Sequence, residues 1–284
     1  MSTIAVSFCN QPEDRGGILA LLDEQSGERR WLDCGNAALR SGVGLATANG
    51  MLYCAASDGD ASYLAIFDAA GDRRDLLRLE SLADIHSIRV DGDDLIAVST
   101  GTDQVVRVAL DGSAPPETIW AASQSGTDTH HLNALARMGG SLVVSGFGPR
   151  QEASWSTALD GYIYDIEASR YVKRGLLHPH SVAFHNGIVV FCESSRESVR
   201  TLEGELYLVD GYARGLAFGA DGTLYAGSSI GRRATKASAL VLNPADAGGA
   251  YGRCTLTAFA QQGTRTVDLV DFGNEIYDVL FLGL

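Results

Sequence analysis

His180-Ser181-Val182 is one of six copies of a short pattern that decides the fold: a residue that varies, a small residue and an aliphatic one. The other copies are Val43-Gly44-Leu45, His86-Ser87-Ile88, Asn133-Ala134-Leu135, Arg214-Gly215-Leu216 and Tyr277-Asp278-Val279. They lie between 34 and 63 residues apart. Repeats of roughly 20–50 residues that are rich in short strands and turns predict a β-propeller. Because the first strand of each propeller blade lines the central channel, the varying residues are predicted to face that channel.

After five of the six copies a polar turn leads into a second β-rich run, which is the strongest short-range signal of a hairpin. The turns are Asn49-Gly50, Asp91-Gly92, Gly139-Gly140, Asn186-Gly187 and Asp221-Gly222. The sixth copy is followed by too few residues for a second strand. Three apolar N-terminal runs, 4–8, 17–22 and 30–32, are available to complete that blade. We therefore predict an all-β protein, a single six-bladed β-propeller domain over residues 1–284. Its ring is closed by a C-terminal inner strand paired with N-terminal outer strands.

Composition excludes several classes of partner. A net charge of −13 argues against nucleic acid, since phosphate binding relies on clustered Lys and Arg. No stretch approaches the roughly 18 apolar residues of a membrane span, and the N-terminus does not resemble a signal peptide. Five cysteines without CxxC spacing suit reduced thiols: Cys9, Cys34, Cys54, Cys192 and Cys254. We expect a cytoplasmic protein that binds a small-molecule ligand, with no nucleic acid or membrane partner. The sequence does not indicate an oligomeric state.

The candidate site consists of polar residues that the repeat directs into the channel. Strand side chains alternate between faces, so the residue two positions before each varying residue points the same way. This register collects Asp84, His86, His131, Asn133, His178, His180, Tyr212, Arg214, Glu275 and Tyr277. Four of the six histidines of the chain fall in this set, whereas His130 and His185 fall outside it.

Two mechanisms fit these residues, and the sequence leaves both open. In the first, His86, His131, His178 and His180, with Glu275 or Asp84, supply the ligands of a divalent metal such as Zn, Fe or Mn. In the second, no metal binds, and a histidine works with Tyr277 as an acid–base pair while Arg214 binds a carboxylate or phosphate. Asn133 and Tyr212 would then contact the substrate.

Three further residues are candidates at the mouth of the channel. Glu193 follows an apolar strand and is a candidate catalytic carboxylate, with a solvated loop position as the alternative. Trp155 ends the long insertion 146–155, which is typical either of a lid over a pocket or of a hairpin packed on the rim. Arg233, in the turn Gly231-Arg232-Arg233, is a candidate anion-binding residue or an ordinary solvated arginine.

From about residue 129 onward the sequence resembles an uncharacterised, mainly bacterial family known as domain of unknown function 4915. The resemblance is carried by these segments: His131-Leu132-Asn133-Ala134-Leu135, 175–181, 211–218, Gly227-Ser228-Ser229 and Glu275-Ile276-Tyr277-Asp278-Val279. It implies a propeller-like fold and supplies no reaction. Where family members usually carry Pro-His-Ser-Pro, this chain has Pro179-His180-Ser181-Val182. More loosely, the architecture is similar to six-bladed lactonases and amidoglycolate lyases, which hold a metal on the axis; such likeness does not determine function.

Taken together, these features predict a small-molecule enzyme. We expect a lyase, isomerase or hydrolase that acts on a polar metabolite bearing a carboxylate or resembling a sugar. His86, His131, His178 and His180 would be bases or metal ligands. The alternative is a propeller that binds a ligand in the same pocket, or serves as a scaffold, without catalysis.

Overall fold

The computed structural model describes residues 3–14, 16–24, 26–232 and 250–283. Within these residues the chain forms six four-stranded antiparallel sheets, each of which is one blade of a β-propeller. From the inner to the outer strand, blade 1 is Ser41–Ala48, Met51–Ser57, Ser62–Phe67 and Arg73–Arg78; blade 2 is Ile85–Asp91, Asp94–Ser99, Gln104–Ala109 and Glu117–Ala121; and blade 3 is Leu132–Met138, Ser141–Gly146, Gly161–Asp165 and Arg170–Leu176.

Blades 4 to 6 complete the ring. Blade 4 is Pro179–His185, Ile188–Glu193, Ser198–Thr201 and Glu205–Leu208; blade 5 is Tyr212–Phe218, Leu224–Ser229, Thr255–Ala260 and Gly263–Asp268; and blade 6 is Ile276–Phe281, Thr3–Phe8, Leu19–Asp23 and Arg29–Trp31. The remaining elements are a two-stranded ribbon, Gly231–Arg232 with Ala250–Tyr251, and three short 3-10 helices, Thr100–Thr102, Trp155–Thr157 and Ser194–Arg196.

The prediction of a six-bladed propeller is confirmed, including the way in which the ring closes. The C-terminal strand Ile276–Phe281 pairs with Thr3–Phe8, so one blade contains strands from both ends of the sequence. Each inner strand also contacts the inner strand of the next blade around the ring. Apolar residues from neighbouring blades pack between the sheets, as Leu64 of blade 1 does with Ile88 of blade 2.

One kind of hydrogen bond joins most blades to the next. At five of the six junctions among the described residues, a hydroxyl at the end of a second strand donates to a carbonyl at the start of the next inner strand. The pairs are Ser7 with Val43 (2.6 Å), Thr100 with Leu132 (2.6 Å), Ser145 with Pro179 (3.5 Å), Ser194 with Ala213 (2.6 Å) and Ser229 with Ile276 (2.9 Å). These hydrogen bonds satisfy carbonyls that the inner strands cannot pair within their own sheets.

The middle residue of the repeated pattern forms a second connection that alternates around the ring. In blades 2, 4 and 6 it accepts a backbone N–H from the next inner strand: Ser87 from Leu135 (3.1 Å), Ser181 from Gly215 (2.8 Å) and Asp278 from Leu45 (3.0 Å). In blade 1 it is Gly44, where a Cβ atom would lie only 2.7 Å from the Cα atom of Ser87. The middle residue must therefore be small where neighbouring backbones approach closely, as in blade 1. In blades 2, 4 and 6 it must also supply a hydrogen-bond acceptor to the next inner strand.

Candidate functional site

A cavity of about 720 Å³ occupies the end of the channel at which the inner strands begin. Its volume falls within the range of roughly 300–1,000 Å³ that is typical of small-molecule sites. Of the residues predicted from the sequence, this cavity is lined by Asp84, His86, His131, Trp155, His178, Tyr212, Arg214, Glu275 and Tyr277. Asn133 and His180 line a smaller cavity of about 40 Å³, which shares His86 and Tyr277 with the larger one and lies deeper in the channel.

The backbone brings these residues together in a way that strand alternation does not describe. Asp84, His131 and His178 each directly precede an inner strand and have φ values of 49°, 48° and 54°. This left-handed conformation is uncommon for residues other than glycine. Immediately afterwards, the pairing of the inner strand with its neighbour shifts register, as between His180 and Val182. Such a bulge re-aims side chains, so channel-facing groups come from an irregular start of each inner strand.

His178 is buried and both of its ring nitrogens are bonded within the protein. Nε2 lies 2.9 Å from the carbonyl oxygen of Trp155 and must donate to it, so Nδ1 accepts from the hydroxyl of Tyr212 at 3.0 Å. The ring stacks on Phe147, with centroids 4.2 Å apart. Burial lowers the pKa of His178 to about 4, which keeps the ring neutral. His178 therefore orients Tyr212 and anchors the insertion that carries Trp155.

His180 has one nitrogen bonded and one free. Nδ1 lies 2.8 Å from Ser194 Oγ, whose own proton goes to the carbonyl of Ala213, so Nδ1 is the donor. The unprotonated Nε2 has no hydrogen-bond partner among the described residues. Burial, with the charge of Arg214 nearby, lowers the pKa of His180 well below its usual value. The ring is thus a neutral acceptor beside the smaller cavity.

His131 is paired with a carboxylate that the sequence analysis did not identify. Its Nδ1 donates to Asp128 Oδ2 at 2.9 Å, and its backbone N–H donates to Asp128 Oδ1 at 2.9 Å. Burial lowers the pKa of His131, and the hydrogen bond to Asp128 opposes that shift. The Nε2 atom has no partner within the described part of the chain. A carboxylate that holds Nδ1–H and leaves Nε2 to a cavity is the arrangement of a general base. The spacing of three residues between Asp128 and His131 is the signal that could have revealed the pair.

His86 lies beside His131, with ring centroids 5.0 Å apart. The side-chain nitrogen of Asn133 donates to the carbonyl of His131, which leaves its oxygen to accept from His86 Nδ1 at 3.2 Å. On the other side, His86 Nε2 lies 3.4 Å from a carboxylate oxygen of Asp84. Both nitrogens of His86 thus face hydrogen-bond acceptors.

Asp84 and Tyr277 lie on either side of this histidine. Desolvation raises the pKa of Asp84, but the hydrogen bond and the charge of His86 outweigh it and leave the pKa below its usual value. The hydroxyl of Tyr277 lies 3.4 Å from the same Asn133 oxygen that His86 contacts. Burial raises the pKa of Tyr277 well above its usual value, so the phenol stays protonated.

Arg214 occupies the opposite wall of the cavity. Its Nη1 donates to Glu275 Oε2 at 3.1 Å and contacts Cys9 Sγ at 3.3 Å. The guanidinium packs over the rings of Tyr212 and Tyr277, 4.9 Å and 5.5 Å from their centroids. Its Nε is buried and has no hydrogen-bond partner in the described part of the chain. This cation is held flat by two aromatic rings and is only partly neutralised by one carboxylate, which suits it to bind an anionic group.

Of the three residues predicted at the mouth of the channel, Trp155 lines the cavity. Glu193 does not line either cavity: its carboxylate accepts from the backbone N–H of Leu177 at 2.8 Å and pairs with Arg196 and Arg200, each at 2.9 Å. It braces the start of the blade 4 inner strand, and we assign it no role in chemistry. Arg233 lies outside the described residues. The ring of Trp155 packs on His131 with centroids 4.6 Å apart, so the insertion covers part of the cavity wall.

Among residues 3–14, 16–24, 26–232 and 250–283, no group of three or more His, Cys, Asp or Glu side chains could hold a metal ion. Both nitrogens of His178 are engaged within the protein, and Glu275 is paired with Arg214. The Nε2 atoms of His131 and His180 have no partner among the described residues, and the metal alternative stays a prediction.

The fold and the cavity together define a class: a six-bladed β-propeller with a partly enclosed polar pocket at one end of its channel. The model of the family called domain of unknown function 4915 matches residues 79–283, and the chain belongs to that family. The matched region begins at residue 79, whereas the resemblance seen in the sequence begins at about residue 129. No curated protein matches the chain.

Solved structures similar to this chain are propellers with low sequence identity. A chain of the nidogen/laminin complex is 10% identical with a TM-score of 0.67, covering 99% of this chain and 98% of that one. A gluconolactonase-like protein is 17% identical with a TM-score of 0.54, covering 92% and 97%. A streptogramin B lyase is 11% identical with a TM-score of 0.50, covering 80% and 68%. At these identities the likeness establishes the fold alone.

The described residues contain no helix that is long and apolar enough to cross a membrane.

Proposed function

We propose that this protein is a small-molecule enzyme that catalyses proton transfer, as a lyase or isomerase, on a polar substrate bearing a carboxylate. The observation that carries the proposal is the Asp128–His131 pair, held at 2.9 Å beside the main cavity. Asp128 fixes the position of the Nδ1 proton, so Nε2 of His131 is the atom that takes a proton from the substrate. General acid–base catalysis of this kind contributes about 10²–10⁴-fold to a rate.

The second role in the proposal belongs to His86. Its two nitrogens face the side-chain oxygens of Asn133 and Asp84. His86 and His131 have ring centroids 5.0 Å apart, so both can act on one substrate, one as the base and the other as the acid. His86 would return a proton to the substrate, and the hydroxyl of Tyr277, close to the same Asn133 oxygen, would donate a hydrogen bond to a developing oxyanion.

Arg214 would hold the carboxylate of the substrate on the opposite wall. The Cys9 thiol beside it is not expected to act as a nucleophile, because burial raises its pKa to about 12 and the thiolate is scarcely populated near neutral pH. The remaining functional groups of the cavity are therefore suited to bind an anion and to move protons.

Deuterium exchange tests the proposal even where the product of the reaction is unknown. A panel of hydroxy, keto and sugar acids is incubated with the protein in D₂O, and loss of carbon-bound proton signals is followed by ¹H NMR. We expect at least one compound to exchange with the wild-type protein. His131→Gln should reduce that exchange about 10²-fold or more while binding is retained. Arg214→Gln should weaken binding instead.

The matched control is His185→Gln, which alters a histidine that stacks on Phe218 away from the cavity and should leave exchange unchanged. Unaltered exchange in His131→Gln would contradict the assigned base. Binding that depends on Arg214 with no exchange of any compound would instead support the non-catalytic, ligand-binding alternative.

A further inference from the structure

A second polar cavity lies at the opposite end of the channel. Its volume is about 370 Å³, and it is lined by the later residues of the inner strands, including Thr47, Arg89, Arg137 and Phe184. The small cavity beside His180 lies between it and the main cavity, sharing Ser87 and Asp278 with it. The two large cavities therefore share no lining residue and present different side chains.

Arg89 is an exception within the repeat. It directly follows the aliphatic residue of the pattern, and four other blades have alanine at this position while blade 6 has leucine: Ala46, Ala136, Ala183, Ala217 and Leu280. Strand pairing confirms that the positions are equivalent, since Arg89 lies opposite Ile96 as Ala136 lies opposite Val143. A long cationic side chain replaces a methyl group at this one junction.

The guanidinium of Arg89 is poorly satisfied by the protein. Its Nε is buried and has no hydrogen-bond partner among the residues that the structure describes. Its Nη2 is 3.8 Å from Asp91, which is beyond hydrogen-bond distance, whereas Arg137 contacts the same carboxylate at 2.6 Å. A buried, charged N–H donor without an acceptor is costly, and an oxyanion would remove that cost.

The charged residues that line this cavity are Arg89, Arg137 and Asp278, whereas two further carboxylates lie beside the arginines outside the lining. Asp91 is shared by Arg89 and Arg137, and Glu167 lies 4.0 Å from Arg137 on its far side. Burial raises the pKa of Asp278 to about 7, so this carboxyl group is largely uncharged below neutral pH. The lining thus contains two arginines and one carboxyl group, in a protein whose net charge is −13, and Asp91 and Glu167 beside it offset part of the positive charge.

We propose that this cavity is a second binding site, in which Arg89 with Arg137 at its rim binds the carboxylate or phosphate group of a small molecule. Guanidinium groups recognise such oxyanions through paired, charge-assisted N–H bonds. The site is separate from the pocket that contains His131, and its occupancy does not depend on the chemistry proposed there.

NMR of the arginine Nε–H groups tests this site directly. The protein is labelled with ¹⁵N-arginine and titrated in parallel with inorganic phosphate and with malonate at constant ionic strength. The cross-peak that is absent from Arg89→Lys belongs to Arg89, and we expect it to shift saturably. In Arg89→Gln the neighbouring Arg137 cross-peak should respond at least about tenfold more weakly.

Arg107→Gln is the matched control, because Arg107 is an exposed arginine of the same blade that pairs with Glu117. This variant should bind as the wild type does. A response to phosphate alone would identify a phosphate site, and a response to malonate alone would identify a carboxylate site. If the Arg89 cross-peak responds to neither anion, or if Arg89→Gln binds as tightly as the wild type, the proposal is wrong. Arg89→Lys keeps the positive charge at this position. It shows whether a loss of binding in Arg89→Gln comes from the lost anion contact or from loss of the fold.

Discussion

At the scale of single residues, the buried histidines make stability depend on pH. Burial lowers the pKa of His178 from 6.5 to about 4, so the folded state binds this proton less readily than the unfolded chain does. The stabilisation is complete above about pH 6.5 and is lost as the pH falls toward 4. His178 alone contributes up to about 3 kcal/mol to this loss.

We expect His178→Gln to show a shallower loss of stability between pH 6.5 and 4.5, measured as the free energy of unfolding in urea. Glutamine can still donate to the Trp155 carbonyl and accept from Tyr212, so the fold should persist. His185→Gln, which changes a histidine outside the cavity, should keep the wild-type slope. Equal slopes in all three proteins would contradict the assignment of His178 as a buried neutral group.

The sequence located most cavity residues, although part of its physical argument was incomplete. Alternation along a regular strand placed Asp84, His131 and His178 in the channel, yet all three have left-handed backbones ahead of their strands. The repeat repositions them consistently, and all three line the main cavity. Asp128 was missed because the hydrogen bond depends on a turn that no periodic pattern encodes. Glu193 was misplaced as a cavity residue because the arginines that engage it could not be located from sequence.

At the scale of the elements, the junctions between inner strands depend on single side-chain acceptors. Ser181 accepts the backbone N–H of Gly215 at 2.8 Å, and alanine at this position would leave that donor without its partner. We expect Ser181→Ala to lower the free energy of unfolding by about 1–3 kcal/mol, measured by chemical denaturation.

Ser198 in the same blade provides the matched control for Ser181. It is buried in a strand, but its hydroxyl has no hydrogen-bond partner within the described residues, so Ser198→Ala should be neutral or slightly stabilising. If Ser181→Ala were as neutral as Ser198→Ala, the acceptor role of the middle repeat residue would be wrong. The sequence does not reveal that role. The repeated pattern shows that the middle residue is small, but it does not show the hydrogen bond that this residue accepts from the next blade.

At the scale of the whole molecule, the number of blades and the closure of the ring could be predicted from the sequence. The reason is that the same order of inner strand, polar turn and second strand recurs along the chain. Hairpin turns such as Asn186-Gly187 mark where an inner strand ends and a second strand begins, and the positions of these strands agree with the structure. The two cavities could not be predicted in shape, since their volumes depend on how six independent blades meet. The channel-facing register supplied only the residue types present there.

The shared blade 6 leads to a prediction about the complete ring. Removal of residues 275–284 would delete the strand Ile276–Phe281, leave the Thr3–Phe8 edge unpaired and open the apolar cluster around Phe8 and Val279. Because an open edge and an exposed core are both costly, we expect this truncation to abolish the cooperative thermal unfolding transition seen by circular dichroism. Removal of Gly283 and Leu284 alone keeps the strand and should preserve the transition. If the protein that lacks these ten residues still unfolds cooperatively near the wild-type temperature, five complete blades are sufficient for the fold. Pairing between the two ends of the chain would then not be needed to close the ring.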